Sequence, residues 1–254
     1  MIVITDRTSF GIRFCLLITL LTALACSGPG ERPSPETTAA VGTEATASTP
    51  PAAEKLHHGC DVSGHSGNVD WAAVAATGHT FVFIKATEGQ DLKDPAFDRN
   101  WPAARDAGII RGAYHFYVTE DDPERQARFF TDTVALMPGD LAPVVDIELL
   151  GHGTKEGLAE RLQRYLDLVE AHFGVKPIIY TSANFWDEHL TDGFGGYPLW
   201  IAEYEVDEPR LPKGWTEWHL WQHEGDAAVK GVEKGADLSR VNRSGPDLSK
   251  LVIH

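Results

Sequence analysis

The sequence predicts an α/β fold, an irregular and incomplete (β/α) barrel of the TIM-like kind whose later helices are reduced or missing. Short β-rich segments alternate with helical segments from residue 57 onward. About eight such strands in roughly 200 residues is the number that closes a compact barrel. The last connections, residues 184–190 and 205–214, are short or interrupted by proline, so full helices do not fit there.

Eight segments are predicted as strands because they are rich in β-branched, aromatic and other apolar residues. They are residues 59–63, 80–86, 109–117, 141–150, 176–181, 198–202, 218–222 and 235–238. Acidic or other polar residues lie at or near the ends of most of these segments. In a parallel barrel the carboxyl ends of the strands meet at one face, which is where sites are found.

Four helices are predicted between the strands, at residues 70–76, 94–108, 122–136 and 154–173. Asp-Pro pairs at 94–95 and 122–123 are typical helix starts. Pro102 is expected to kink or split the second helix. The fourth has the clearest period, with one apolar face formed by Leu158, Leu162, Tyr165, Leu166, Val169 and Phe173.

The first 25 residues are predicted to be an export signal. Arg7 and Arg13 precede an apolar run, residues 14–25, that is too short for a comfortable membrane span. The run ends in an ALAC sequence that resembles a bacterial lipoprotein processing site, so we expect Cys26 to be acylated. Ser27 favours the outer membrane in that resemblance. The alternative is an ordinary signal peptide and a secreted product.

Residues 26–56 are rich in Pro, Thr, Ala and Ser and have no apolar period, so they are predicted to be a disordered tether before a folded domain at 57–254. The 22 basic residues against 37 acidic ones give a net charge of −15, which argues against a nucleic-acid partner. Cys15 would leave with the signal and Cys26 would be acylated. Cys60 then remains alone, and no intrachain disulfide is expected.

Asp146 and Glu148 are the centre of the predicted site. Because side chains on a strand alternate between its two faces, both acids would point the same way and Ile147 would be buried on the other face. Two acids on one face at the exit of a buried strand suit acid/base chemistry. Other polar residues are expected at the same end of the barrel: Asp61, Glu88, His115, Tyr180, Gln222 and Asp237.

Seven motifs occur in order along the chain: GCDVS at 59–63, IKATEG at 84–89, GIIRGAYHF at 108–116, VDIE at 145–148, IYT at 179–181, LWIA at 199–202 and LWQ at 220–222. Together they resemble family 25 glycoside hydrolases, the lysozymes that cleave β-1,4 bonds after N-acetylmuramic acid in peptidoglycan. The match extends from His58 to about Asn242. The resemblance implies an incomplete barrel, a catalytic domain at 57–254, and glycan strands of peptidoglycan as the partner.

The resemblance also implies roles. Glu148 matches the proton donor to the leaving oxygen, Asp146 matches its partner acid, and Asp61 and Asp237 match acids that line the same pocket. The substrate-binding candidates are Tyr114, Phe116, Tyr180, Lys85, Glu88 and Gln222. No cofactor or metal is expected, and we expect a monomer. Leu-Ser-Arg-Val follows Asp237 where the family often has Asn and an aromatic, so the role of Asp237 is the least defined.

Two catalytic routes stay open. The N-acetyl group of the substrate can attack the anomeric carbon while Asp146 orients and stabilises it, which is the favoured route. Alternatively, Asp61 or Asp237 activates a water for inversion. Residues i and i+2 of a strand are roughly 6–7 Å apart, between the carboxylate separations of retaining and inverting enzymes.

Three other functions are alternatives. A peptidoglycan-binding lipoprotein without activity would keep the aromatics but lose the acids. A glycosidase acting on chitin-like glycans would use the same acids. A metal hydrolase would use His57, His58 and His65 with Asp61, but these histidines lack an HExxH-like frame.

Overall fold

The computed structural model describes residues 57–242 and 247–254. In that part of the chain there are nine strands, β1 His58–Val62, β2 His79–Glu88, β3 Leu92–Lys93, β4 Ile110–Phe116, β5 Val144–Asp146, β6 Ile178–Ser182, β7 Leu199–Ala202, β8 Leu220–Ala227 and β9 Ala236–Val241. The helices there are α1 Trp71–Ala76, α2 Phe97–Asp106, α3 Pro123–Thr133, α4 Leu158–Phe173 and α5 Ala183–His189. The predicted signal peptide, Cys26 and the tether lie outside the described residues.

The strands close into a barrel in the order β1-β9-β8-β7-β6-β5-β4-β2, and β2 pairs with β1 to complete the ring. The pairs from β1–β2 round to β7–β8 are parallel. β9 is antiparallel to both of its neighbours, β8 and β1. The two-residue β3 folds back antiparallel on the end of β2. The predicted irregular barrel is therefore confirmed.

The connection between β8 and β9 explains why the last strand reverses. A parallel crossover needs a dozen or more residues, and residues 228–235 are too few. β9 therefore returns as the second strand of a hairpin and places Asp237 directly opposite Asp61 on β1.

The later helices are reduced, as predicted. Between β6 and β7 the chain forms only the short α5, and the connection from β7 to β8 contains no helix. Among the described helices, none is long and apolar enough to cross a membrane.

Apolar side chains form two layers, one outside and one inside the wall of the barrel. The outer layer lies between the strands and the helices, and it contains the buried face of α4 that the period predicted, Leu158, Leu162, Tyr165, Leu166 and Val169. The inner layer fills the barrel with Phe81, Phe83, Val144, Ile178, Trp200 and Leu220. Phe83 and Trp200 stack with ring centroids 4.4 Å apart. Burying each such ring contributes about 1.5–3 kcal/mol.

Gly59 and Gly112 make room for these rings. A Cβ at Gly59 would lie 2.2 Å from the Phe81 ring, and one at Gly112 would lie 2.5 Å from the Phe83 ring. The interior of the barrel is thus filled with side chains beneath its carboxyl end.

Three predicted helix boundaries were wrong. α2 begins at Phe97 rather than 94, because the Asp94 carboxylate accepts from the backbone N–H groups of Gly64 and Ala96 instead of beginning a helix. α3 ends at Thr133 rather than 136, where Val134 turns to an extended backbone. α4 begins at Leu158 rather than 154, after a loop that contains left-handed Gly151 and Gly157.

Of the kink or split expected at Pro102, the split does not occur. α2 runs unbroken from Phe97 to Asp106. Pro102 removes one intrahelical donor, but the buried rings of Phe97 and Trp101 stack at 5.3 Å and hold the two turns together.

Candidate active site

The fourth predicted strand is shorter than expected. β5 ends at Asp146, which is paired in register with Phe116 on β4 and Tyr180 on β6. The N–H of Ile147 still donates to the carbonyl of Tyr180 at 3.0 Å, so the ladder reaches one residue further. Glu148 lies beyond the end of the strand.

The alternation predicted for this stretch is present. Ile147 is fully buried in the outer apolar layer. Asp146 is buried on the opposite face, and Glu148 is half-buried. Removal from water raises the pKa of Asp146, and the negative charge of Glu148 raises it further. The two carboxyls are therefore close enough to titrate as a pair.

Asp61 and Asp237 form a second pair on the neighbouring strands β1 and β9. The Gln222 amide on β8 bridges them: its Nε2 donates to Asp61 Oδ2 at 2.9 Å and to Asp237 Oδ2 at 3.3 Å. The N–H of Asp226 donates to the other oxygen of Asp237 at 2.7 Å. This pair is held by hydrogen bonds on both sides.

The two pairs act on each other electrostatically. Removal from water and the charge of Asp237 raise the pKa of Asp61, while the Gln222 hydrogen bond lowers it. Desolvation raises the pKa of Glu148, and the charge of Asp237 adds to this. All four predicted acids therefore come together at the open end of the barrel.

Lys85 on β2 supplies a positive charge to this acidic site. Its Nζ is 2.6 Å from Glu88 Oε2 and 4.9 Å from the centre of the Phe116 ring. The side chain is buried, and its charge lowers the pKa of both Asp146 and Glu148. Buried Lys85 and half-buried Glu88 thus form an ion pair beside the acids.

The predicted aromatics surround the acids at different depths. Tyr180 is buried, packs edge-on against Trp200, and its hydroxyl donates to Gln222 Oε1 at 2.7 Å. Tyr114 and Phe116 are half-buried. A cavity of about 210 Å³ beside the acids is lined by Asp61, Tyr114 and Asp237 among other residues.

His115, which was expected at the same end of the barrel, does not join the site. It alternates with Tyr114 and Phe116 and therefore points to the outer layer, where its ring stacks on Tyr165 and hydrogen-bonds Thr87 and Gln126. Burial lowers the pKa of His115 to about 3, so it is a neutral core residue.

One residue of the site was missed in the sequence. Tyr204 lies two residues beyond the carboxyl end of β7, and its hydroxyl donates to Gln222 Oε1. Its ring is 44% exposed at the mouth of the barrel. The rule that sites lie at carboxyl ends of strands could have found it.

The histidines of the metal alternative are dispersed. His57 hydrogen-bonds Thr80 Oγ1 at 3.1 Å, and His65 lines the 210 Å³ cavity. Within residues 57–242 and 247–254, no group of three or more His, Cys, Asp or Glu residues is placed to hold a metal ion.

Comparison with known proteins identifies the family. The model for glycosyl hydrolases family 25 matches residues 60–232. YegX of Escherichia coli (strain K12), an uncharacterised protein, is 37% identical over 200 residues, which cover 77% of this chain and 73% of YegX. Lysozyme M1 of Streptomyces globisporus is 33% identical over 207 residues, which cover 76% of this chain and 70% of that protein.

A solved structure agrees with these matches. The bacterial lysozyme from Streptomyces coelicolor superimposes with a TM-score of 0.72 at 30% identity and covers 77% of this chain and 94% of that one. With a family match over most of the folded domain and four acids at the open end of the barrel, this chain belongs to glycosyl hydrolase family 25 and is a glycoside hydrolase.

Proposed function

We propose that the enzyme hydrolyses the β-1,4 bond between N-acetylmuramic acid and N-acetylglucosamine in peptidoglycan. The observation that carries this proposal is the pair of buried Asp146 and half-buried Glu148 at the open end of the barrel, beside the Asp61–Asp237 pair. The names of the relatives support the substrate, since the Streptomyces globisporus relative is called a lysozyme.

Glu148 is the proposed proton donor. It lies past the end of β5 and is the more exposed acid of its pair, so it can reach a leaving oxygen. Removal from water and the charge of Asp237 raise its pKa. A raised pKa lets a carboxyl hold its proton to higher pH, which suits a general acid.

Asp146 is the proposed partner of the substrate's N-acetyl group. Its Oδ1 is buried and has no hydrogen-bond partner among the described residues. A buried carboxylate oxygen without a donor is costly, and the N–H of a bound 2-acetamido group is a donor of the right kind. Accepting that hydrogen bond would stabilise the charged form of Asp146 and leave the shared proton on Glu148.

The proposed reaction then has two steps. The Glu148 proton moves to the glycosidic oxygen as the C1–O bond breaks, and the acetamido carbonyl oxygen bonds to C1. Asp146 accepts from the acetamido N–H as positive charge develops there. In the second step water attacks C1, the bond from the acetamido oxygen breaks, and Glu148 takes a proton from the water. The sum is hydrolysis with retained configuration.

Product analysis tests the proposed substrate. Purified peptidoglycan digested with the enzyme should yield fragments with N-acetylmuramic acid at the reducing end, identified by mass spectrometry after borohydride reduction. Chitin oligomers should be cleaved far more slowly. Reduced N-acetylglucosamine ends, or faster cleavage of chitin, would contradict the proposal, and binding without cleavage would favour a non-catalytic module.

We also propose that the enzyme is tethered to a membrane of the cell envelope through acylated Cys26. The support is the ALAC sequence after an apolar run of export length. Cys26→Ser should move the protein from the membrane fraction to the soluble fraction. A wild-type protein already in the soluble fraction would contradict the anchor.

A further inference from the structure

The side-chain amide of Gln222 is buried at the centre of the site, and every one of its hydrogen-bonding positions is used. Gln222 is 2% exposed and lies on β8 between Ala202 of β7 and Ser239 of β9. Its two N–H bonds go to Asp61 and Asp237. Its carbonyl oxygen accepts from the hydroxyls of Tyr180 and Tyr204.

Because its hydrogen-bonding positions are all occupied, the Gln222 amide has little capacity to bind a ligand. A primary amide has two N–H donors and two acceptor lone pairs, and here two carboxylates and two hydroxyls take all four. The opposite orientation of the amide would set its oxygen against two carboxylates, so the acids fix which end faces them. A sugar hydroxyl would find no free position on Gln222, which argues against direct substrate binding.

We propose that Gln222 is a positioning residue: it clamps Asp61 and Asp237 together across β1 and β9, and Tyr180 and Tyr204 lock the clamp. The inference rests on the proposed function only for its kinetic readout. Both tyrosine hydroxyls stay protonated and able to donate, because burial raises the pKa of each. Their donation to the amide oxygen polarises the amide and strengthens its N–H donors.

Tyr204 makes the clamp accessible from the groove. Its hydroxyl is bound to Gln222, while its ring is exposed and lies over β8, where an added Cβ at Gly225 would be 3.7 Å away. A sugar that packs on this ring would contact a side chain that is hydrogen-bonded to Gln222. Gln222 therefore acts through Asp61 and Asp237, and the negative charge of Asp237 raises the pKa of Glu148.

The first test compares wild type with Gln222→Met, which keeps the length of the side chain and removes all four hydrogen bonds. Carboxyl ¹³C NMR titration of the free protein should show the pKa of Asp61 higher in the variant, because the amide hydrogen bond that favours its charged form is lost. This readout needs no substrate, so it decides the inference even if the proposed substrate is wrong.

The second test is kinetic and uses peptidoglycan. In Gln222→Met we expect kcat to fall on the order of tenfold to a hundredfold and KM to change less than about twofold. A raised KM with unchanged kcat and unchanged titration of Asp61 would show that Gln222 binds sugar, and would overturn the proposal.

Tyr204→Phe keeps the test decisive should Gln222→Met fail to fold. It removes one hydroxyl from an exposed residue and should shift the Asp61 titration in the same direction by less. The matched control is Tyr197→Phe, whose hydroxyl binds Gln163 instead. Equal behaviour of the two tyrosine variants would contradict the clamp.

Discussion

The two carboxylate pairs of the site differ in how they are held. Asp61 and Asp237 lie on antiparallel strands and are bridged by Gln222, with a further backbone bond from Asp226. Asp146 and its partner Glu148 lie at the end of one short strand, and Asp146 Oδ1 has no partner among the described residues. Both acids of the first pair already accept a hydrogen bond, whereas Asp146 of the second pair still has a buried oxygen without one among the described residues.

This difference indicates that one pair positions groups in the site and the other takes part in the reaction. A hydrogen bond to a carboxylate favours its charged form and fixes it in place, and at Asp61 and Asp237 it offsets part of the rise in pKa that burial causes. A buried carboxyl without donors resists ionisation, holds a proton, and gains most when a substrate donor arrives. We infer that the Asp146–Glu148 pair, here called the open pair, performs proton transfer. The Asp61–Asp237 pair, here called the clamped pair, supplies negative charge that raises the pKa of Glu148.

Glu148→Gln should have the largest effect, because it removes the proton donor of the open pair and retains its shape. We expect kcat to fall by about 10³-fold or more. Turbidity loss of a peptidoglycan suspension measures it, with circular dichroism as the control for folding. Lysis near the wild-type rate would remove Glu148 from the mechanism.

Asp146→Asn should come next, since an amide cannot supply the charge that stabilises the N-acetyl group during attack. We expect kcat to fall by about 10²-fold with little change in KM. Single-turnover rates on a soluble glycan fragment measure the chemical step. An unchanged rate would mean that Asp146 is structural.

Asp237→Asn tests the clamped pair and should have a smaller effect, less than about tenfold at the optimum if its role is electrostatic. The negative charge of Asp237 raises the pKa of Glu148. Removing that charge lowers this pKa, so the basic limb of the rate profile should move to lower pH. A loss as large as that of Glu148→Gln would instead make Asp237 the base of an inverting route.

The smallest expected effect is on thermal stability, which can be compared directly between variants of the two carboxylate pairs. Burial raises the folded-state pKa of Asp146 above its unfolded value. Such a group favours the fold below its unfolded pKa and loses that contribution as pH rises through the folded pKa. Asp146→Asn should therefore stabilise the fold at pH 7 by about 1 kcal/mol, a Tm gain of about 2–4 °C, and not at acidic pH.

Asp61→Asn is the comparison for that measurement. Its gain in Tm at pH 7 should be smaller, because Gln222 already stabilises the charged form of Asp61. Scanning calorimetry at neutral and acidic pH measures both variants. Equal gains would show that the clamp does not distinguish the two pairs.

The acids themselves were predictable from the sequence, since period-two alternation orients Asp146 against Ile147 and the strand ends of a barrel converge. The clamp was not predictable. Gln222 and Asp61 are 161 residues apart, and their contact depends on β9 reversing between β8 and β1. The same alternation, applied to His115, would have placed it in the outer layer with its polar partners, rather than in the site.

Two predictions for the second helix, its start at residue 94 and its split at Pro102, relied on local sequence signals and did not hold. Asp94 resembles a helix cap in sequence, but its carboxylate is bound by Gly64 from a distant loop as well as by Ala96. Pro102 resembles a break, but packing of the rings beside it outweighs one lost hydrogen bond. At Asp94 a tertiary contact outweighed the local preference, and at Pro102 a ring contact within the helix did so.

The configuration of the first-formed product tests the central claim most directly. If the open oxygen of Asp146 receives the acetamido N–H while that group attacks C1, the configuration is retained. ¹H NMR of a soluble peptidoglycan glycan fragment, recorded during the first minutes of cleavage before mutarotation, should show the β-anomer at the new reducing end. Appearance of the α-anomer first would mean that water attacks C1 directly, and would contradict the assignment of the two pairs.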